Sequence, residues 1–175
     1  MGYVQSPTPS GATAYGHPQE EAPPFGDAPL SDELALVVVR ARRRAMRDAD
    51  RQIDTAHLLH SLLESDADVR AAFDDGGQVA RLLGYLVQRS IGYGLRWQGA
   101  VEDSGAVPVP GGALGWSPQA AAAMEAGAGR AAARGETRAR GVDVLAALAA
   151  DGECRAVEVL GRAGVDVGRL RWRLG

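Results

Sequence analysis

Apolar positions recur at helical spacing in two long stretches of this chain, and both stretches follow one plan. Leu34, Val37, Val38, Ala41 and Ala45 share one face of a first helix. Ser31 is placed to cap its free amides, and Asp32 and Glu33 stand at the positive end of its dipole. Leu36, Val39 and Met46 fall on other faces, so either protein covers this helix on both sides or a patch is left for a partner. Thr55 is expected to cap a second helix through His57, Leu58, Leu59, Leu62 and Leu63, and Asp66 a third carrying Val69, Ala72 and Phe73, which Gly76 and Gly77 stop. A fourth helix carries Val79, Leu82, Leu83, Leu86 and Val87 and ends near Ser90. The second series opens at Ser117, with Pro118 at the first helical position, and continues in helices near 141–150, 153–163 and 166–174, parted by Gly152 and Gly164.

The two series align residue by residue. Ser31 matches Ser117, Ala45 matches Ala131, Thr55 matches Gly141 and Leu62 matches Leu148, all at an offset of 86 residues. Gly77 and Gly164, Leu83 and Leu170, and Tyr85 and Trp172 match at 87, one residue of slip. The pattern predicts an all-α domain over 30–175, with repeats at 30–90 and 116–175. Duplicated helical units of this kind are more often binding modules than catalysts.

Residues 1–29 hold six of the nine prolines and are expected to form a disordered tail, because so few apolar groups cannot offset chain entropy. Tyr3, Tyr15 and Phe25 are spaced through it, as incidental aromatics or short docking elements. The segment 91–115 is a Gly- and Pro-rich linker, in which Leu95, Trp97 and Val101 alternate as in a short surface hairpin.

All 19 basic residues are arginine, a usage that fits a GC-rich genome, and the net charge of −3 argues against general affinity for nucleic acid or anionic membrane. Arg40, Arg42, Arg43, Arg44 and Arg47 form a basic run on the first helix, read as a solvated face, with contact to an acidic partner or to DNA as the alternatives. Cys154 is the sole cysteine, so no internal disulfide can form, and no apolar run spans a bilayer. Together with the lack of a secretion signal, these features lead to an expected cytoplasmic location.

Candidate chemistry is sparse. His57 and His60 lie three apart as metal ligands can, but no third ligand follows in a known spacing, so packing is the expected role and no metal or cofactor is expected. Cys154 has no base placed with it, and no catalytic constellation is found. Trp116, just before a Ser-Pro helix start, serves either as a hydrophobic staple or as the floor of a groove between repeats.

The segments Leu30-Ser31-Asp32-Glu33-Leu34 and Asp54-Thr55-Ala56-His57-Leu58-Leu59, with their second copies Trp116-Ser117-Pro118-Gln119-Ala120 and Arg140-Gly141-Val142-Asp143-Val144-Leu145, resemble the N-terminal domain of ClpC- and ClpA-type AAA+ unfoldases. The family form at these places is Phe-Thr-x-x-Ala and Gly-Thr-Glu-His-Leu-Leu. The resemblance implies a pseudo-twofold domain of eight helices that receives adaptors and substrates. The ATP-driven motor is not part of the match, since a P-loop needs a lysine and the chain has none. The family's phosphoarginine site maps to Ser31, Ala56, Ser117 and Val142, where the Glu that faces the guanidinium is missing from both copies. Actinobacterial relatives bind cyclic-peptide antibiotics on an apolar surface that maps to Val38, Val39, Trp116, Met124 and Glu125. The implied partners are peptides, adaptor proteins, cyclic peptides or Clp components, and the implied roles are a decoy that sequesters such ligands or an adaptor that tethers clients to a Clp protease.

Overall fold

A computed structural model of the protein describes residues 29–90 and 114–175, so the readings of the tail, its aromatics and the Leu95 to Val101 hairpin lie outside the described residues. Among those described, the elements are α1 (Asp32–Arg47), β1 (Gln52–Ile53), α2 (Thr55–Ser65), α3 (Ala67–Ala71), α4 (Gly76–Ser90), β2 (Gly115–Trp116), α5 (Pro118–Ala133), α6 (Gly141–Ala150), α7 (Arg155–Arg162) and α8 (Val167–Leu174). Gly115, at the end of the expected linker, already belongs to β2.

The duplication is written into the backbone pairing. The amide of Ser31 donates to Ala139 O at 2.9 Å, and the amide of Ser117 donates to Ile53 O at 2.9 Å. Shifting the first contact by the repeat offset gives the second with its partners exchanged, which is the signature of a local twofold axis. The parallel pairing of β1 with β2 and the isolated bridge between Leu30 and Ala139 sit in these two equivalent places. Each repeat thus lends its helix-entry strand to the other, and neither half completes its pairing alone.

Helix entries repeat the same logic. Ser31 Oγ accepts from Leu34 N, and Ser117 Oγ accepts from Ala120 N, both at 3.1 Å. The cap of α2 is Asp54 rather than Thr55: its carboxylate accepts the His57 amide at 2.8 Å. Thr55 is instead the first helical residue, and its Oγ1 accepts the Ala156 amide of α7 at 3.1 Å, tying α2 across to the second repeat. Gly76 and Gly77 do not stop α3, which ends at Ala71; they open α4, where Asp75 Oδ1 accepts the Gln78 amide at 2.6 Å. The carboxylate cap determines where the helix starts, and the glycines follow it without obstructing the free amides.

The core runs through both repeats. Leu58, Leu59, Leu62 and Leu63 of α2 are fully buried and meet Leu34 and Val37 of α1, Leu82 and Leu86 of α4, and Leu145, Leu148 and Leu160 of the second half in one cluster. Burying a leucine is worth about 1.5–3 kcal/mol, so α2, covered on every side, is the hub on which the other helices rest.

Candidate recognition surface and a buried ionic cluster

The first helix leaves its outer side uncovered. Leu36, Val39 and Met46 are 44%, 45% and 64% exposed, whereas Leu34, Val37, Ala41 and Ala45 are buried. Of the two outcomes open for this helix, cover on both sides is not found among the described residues. Arg42, Arg43 and Arg47 are exposed beside it. Arg44 turns inward: it pairs with Glu64 and approaches His60 Nδ1 at 3.2 Å. The outer side of α1 therefore mixes apolar and cationic groups.

The remaining positions mapped from sequence divide by burial. Val38 is half-buried and Glu125 exposed, so both reach solvent along with Val39. Trp116 (7% exposed) and Met124 (1%) lie in the core cluster. The phosphoarginine positions lack a carboxylate, and their hydroxyls are engaged: Ser31 and Ser117 cap α1 and α5, Ala56 is fully buried and Val142 is half-buried.

A pocket of about 270 Å³ opens on the second repeat between α5 and α6, lined by Thr55, Ala122, Ala126, Leu148, Ala150 and Cys154 among others. Its origin is legible in the alignment of the halves. Ala122, Ala126 and Ala150 stand where the first repeat has Leu36, Arg40 and Glu64, so three large side chains are replaced by methyl groups. Cys154 is buried in its wall, with Sγ 3.5 Å from Leu148 O.

The densest chemistry lies at the start of α2. Asp54 is 1% exposed, and its Oδ2 is 2.6 Å from Arg89 Nη2 and 2.6 Å from Arg155 Nη1. His57 Nδ1 is 2.8 Å from Asp54 Oδ1. Burial resists the charge on Asp54, but His57, Arg89 and Arg155 prevail and hold its carboxyl far below the usual range. On the other side of the ring, Nε2 lies 3.0 Å from Asp50 Oδ2 and 3.7 Å from Asp48 Oδ2. Burial opposes the imidazolium, yet Asp54, Asp48 and Asp50 raise the His57 pKa to about 10. His60 goes the opposite way, lowered to about 4 by burial and by the neighbouring Arg44.

Arg89 and Arg155 were not singled out from sequence, and the spacing of Asp48, Asp50, Asp54 and His57 as a cluster was there to read. Arg155 reaches Asp54 from the other repeat, a contact that no local pattern reveals.

No protein-family model matches the chain, and no curated protein matches it by sequence. Solved structures do. The N-terminal domain of Hsp104 from Candida albicans superposes with a TM-score of 0.61 at 14% identity, covering 83% of this chain and 89% of that one. The fold is that of the Clp and Hsp104 N-terminal domain. The N-terminal domain of the caseinolytic protease associated chaperone ClpD from Arabidopsis thaliana gives a TM-score of 0.61 at 15% identity over 83% and 91% of the two chains. A structure from investigations of a malarial protein secretion system gives 0.60 at 13% identity over 83% and 91%. The all-α reading and the Clp-type resemblance thus stand at the level of fold. No helix among the described residues is long and apolar enough to cross a membrane.

Proposed function

We propose that the protein is a non-catalytic recognition module of the Clp N-domain type that binds peptide segments through the outer side of α1. The observation that carries this reading is the exposure of Leu36, Val39 and Met46 on a helix whose other side is anchored in the core. Apolar groups left at this exposure beside arginines suit an extended or helical peptide with apolar anchors and acidic flanks. Of the positions mapped from sequence, Val38, Val39 and Glu125 reach solvent, whereas Trp116 and Met124 are buried. Peptides, cyclic peptide-like antibiotics and adaptor segments share this chemistry.

In this reading the protein works as a decoy in the cytoplasm, occupying ligands that would otherwise reach a Clp unfoldase. The second reading, an adaptor, requires it to hold a client and the unfoldase together. Size-exclusion chromatography of the protein, a bound peptide and a Clp unfoldase separates the two, since only an adaptor gives a ternary peak. A DNA-associated role for the Arg run is less well supported once Arg44 is committed to Glu64. The binding experiment is an immobilised array of 12-residue peptides probed with wild type and Val39→Asp. Retention of a defined peptide set by wild type and its loss in the variant supports the reading.

A further inference from the structure

The turn between α1 and α2 brings three potential ligand atoms together: Asp48 Oδ2, Asp50 Oδ2 and His57 Nε2 lie within 4.8 Å of one another. An acidic pair on a turn is ordinary. The imidazole is not, because His57 is 2% exposed and its buried Nε2 makes no hydrogen bond of acceptable geometry, although it faces both carboxylates. Its separations of 3.0 and 3.7 Å bracket the roughly 3.3 Å expected between ligand atoms that share a tetrahedral ion at about 2.0–2.1 Å.

Two further features fit an ion here. Behind the ring, Nδ1 is 2.8 Å from Asp54 Oδ1, and Asp54 is itself held by Arg89 and Arg155. Nδ1 also accepts the Asp54 amide at 3.1 Å, so the amide and the carboxylate of Asp54 together fix the ring from behind, as outer-shell partners fix the ring of metal-binding histidines. The second repeat supplies the other feature. The residues equivalent to Asp48, Asp50 and His57 are Arg134, Glu136 and Asp143, and Arg134 Nη2 lies 3.0 Å from Glu136 Oε2 and 2.6 Å from Asp143 Oδ1. In that copy a guanidinium supplies the cation between the two acids. In the first copy the His57 ring takes that place between Asp48 and Asp50, so an ion would bind there by displacing the proton on Nε2. The neighbouring cations are directed elsewhere: Arg89 mainly to Asp54, with Asp50 Oδ2 at 3.9 Å, and Arg47 to the opposite oxygen of Asp48 at 3.6 Å.

We infer that Asp48, Asp50 and His57 form a binding site for one divalent transition-metal ion. One nitrogen and two carboxylate donors suit zinc or cobalt, whereas magnesium and calcium take oxygen donors alone. The ion would pin the end of α1 to the start of α2, the same junction that Arg134 closes in the second repeat.

The test is calorimetric titration of the untagged full chain with CoCl₂ and ZnCl₂, with MgCl₂ as control. The expected result is one saturable site for cobalt and zinc and none for magnesium. Asp50 is 41% exposed, so Asp50→Asn is compatible with folding and is expected to weaken binding about tenfold or more. The double variant Asp48→Arg/His57→Asp copies the second repeat and is expected to keep its helical circular dichroism while binding no ion. His17→Gln is expected to bind as wild type does. The inference is overturned if neither metal binds at millimolar concentration, if Asp50→Asn binds as tightly as wild type, or if binding disappears with His17→Gln.

Discussion

The starts of α2 and α6 occupy equivalent places about the local twofold axis, yet they are stabilised in opposite ways. At α2 the capping residue is Asp54, buried and gripped by Arg89, Arg155 and His57. At α6 the same position is Arg140, exposed and making no side-chain cap bond, and Asp143 instead reaches back to the Arg140 amide at 2.9 Å. Around them the charges are exchanged: Asp48 beside His57 in one copy becomes Arg134 beside Asp143 in the other. One backbone geometry therefore tolerates both polarities, provided each buried charge meets its opposite. The difference also separates the two junctions, since the first holds a cluster of buried charge and the second one buried carboxylate, Asp143, met by the exposed Arg134.

The largest expected effect comes from breaking that asymmetry at Asp54. Asp54→Ala leaves the inward-facing Arg155 and Arg89 without their shared carboxylate and is expected to cost about 3–5 kcal/mol by urea denaturation. Arg140→Ala, at the equivalent position, is expected to cost less than about 1 kcal/mol, because its pairing with Glu136 is solvent-exposed. Equal losses at the two sites would remove the distinction.

The halves are also expected to differ in their response to acid. His60 has a pKa near 4 in the folded protein against 6.5 unperturbed, so it folds as the neutral imidazole, with Nδ1 accepting from Arg44. A depressed histidine stabilises fully above pH 6.5, and that contribution is lost as the pH falls toward 4. The equivalent residue in the second repeat is Ala146, which cannot titrate. Stability measured from pH 7 to 4 in wild type and His60→Ala is expected to fall less steeply in the variant over this window.

A smaller effect is expected where the two helix starts meet the opposite repeat. A Cβ on Gly141 would lie 2.1 Å from Asp66 Oδ2 and 3.0 Å from Leu62 Cδ2, and that Asp66 carboxylate caps α3 through the amides of Asp68 and Val69. Gly141→Ala is expected to cost about 1–3 kcal/mol in thermal or urea unfolding. At the matching position Thr55 uses its hydroxyl to hold α7, so the Thr-to-Gly difference is one of partner rather than decay. The smallest effect is expected at the turn after the first helix of each repeat. Ala49 adopts φ 57° where the second repeat has Gly135 at 75°. Ala49→Gly is expected to stabilise by about 1 kcal/mol, readable as a raised Tm.

Much of this architecture is legible in the sequence. Helical periodicity and the constant offset located the helices and the duplication, because both depend on local spacing that burial then enforced. Ser31, Asp66 and Ser117 were readable as caps for the same reason. Asp54 was missed because the adjacent Thr55 is an equally good cap by type, and only the Ala156 amide from the other repeat decides what the hydroxyl does. Gly76 and Gly77 misled because glycine marks either end of a helix, and it is the Asp75 carboxylate that fixes which. The exposed side of α1 was foreseen as one of two outcomes. The packing of Trp116 was likewise one of two readings, as a staple, whereas Met124 was mapped to an open surface and is buried instead. The ionic cluster at His57 joins α1, α2, α4 and α7, and long-range charge pairing leaves no periodic trace.

The most direct measurement of the recognition role is fluorescence anisotropy of one array-selected labelled peptide titrated with wild type, Val39→Asp and Val157→Asp. Val39 is on the exposed side of α1, and Val157 is a half-buried control on α7. Saturable binding by wild type and the Val157 variant, weakened about tenfold or more by Val39→Asp with unchanged circular dichroism, is the expected result. Equal affinity in all three proteins would contradict recognition through α1.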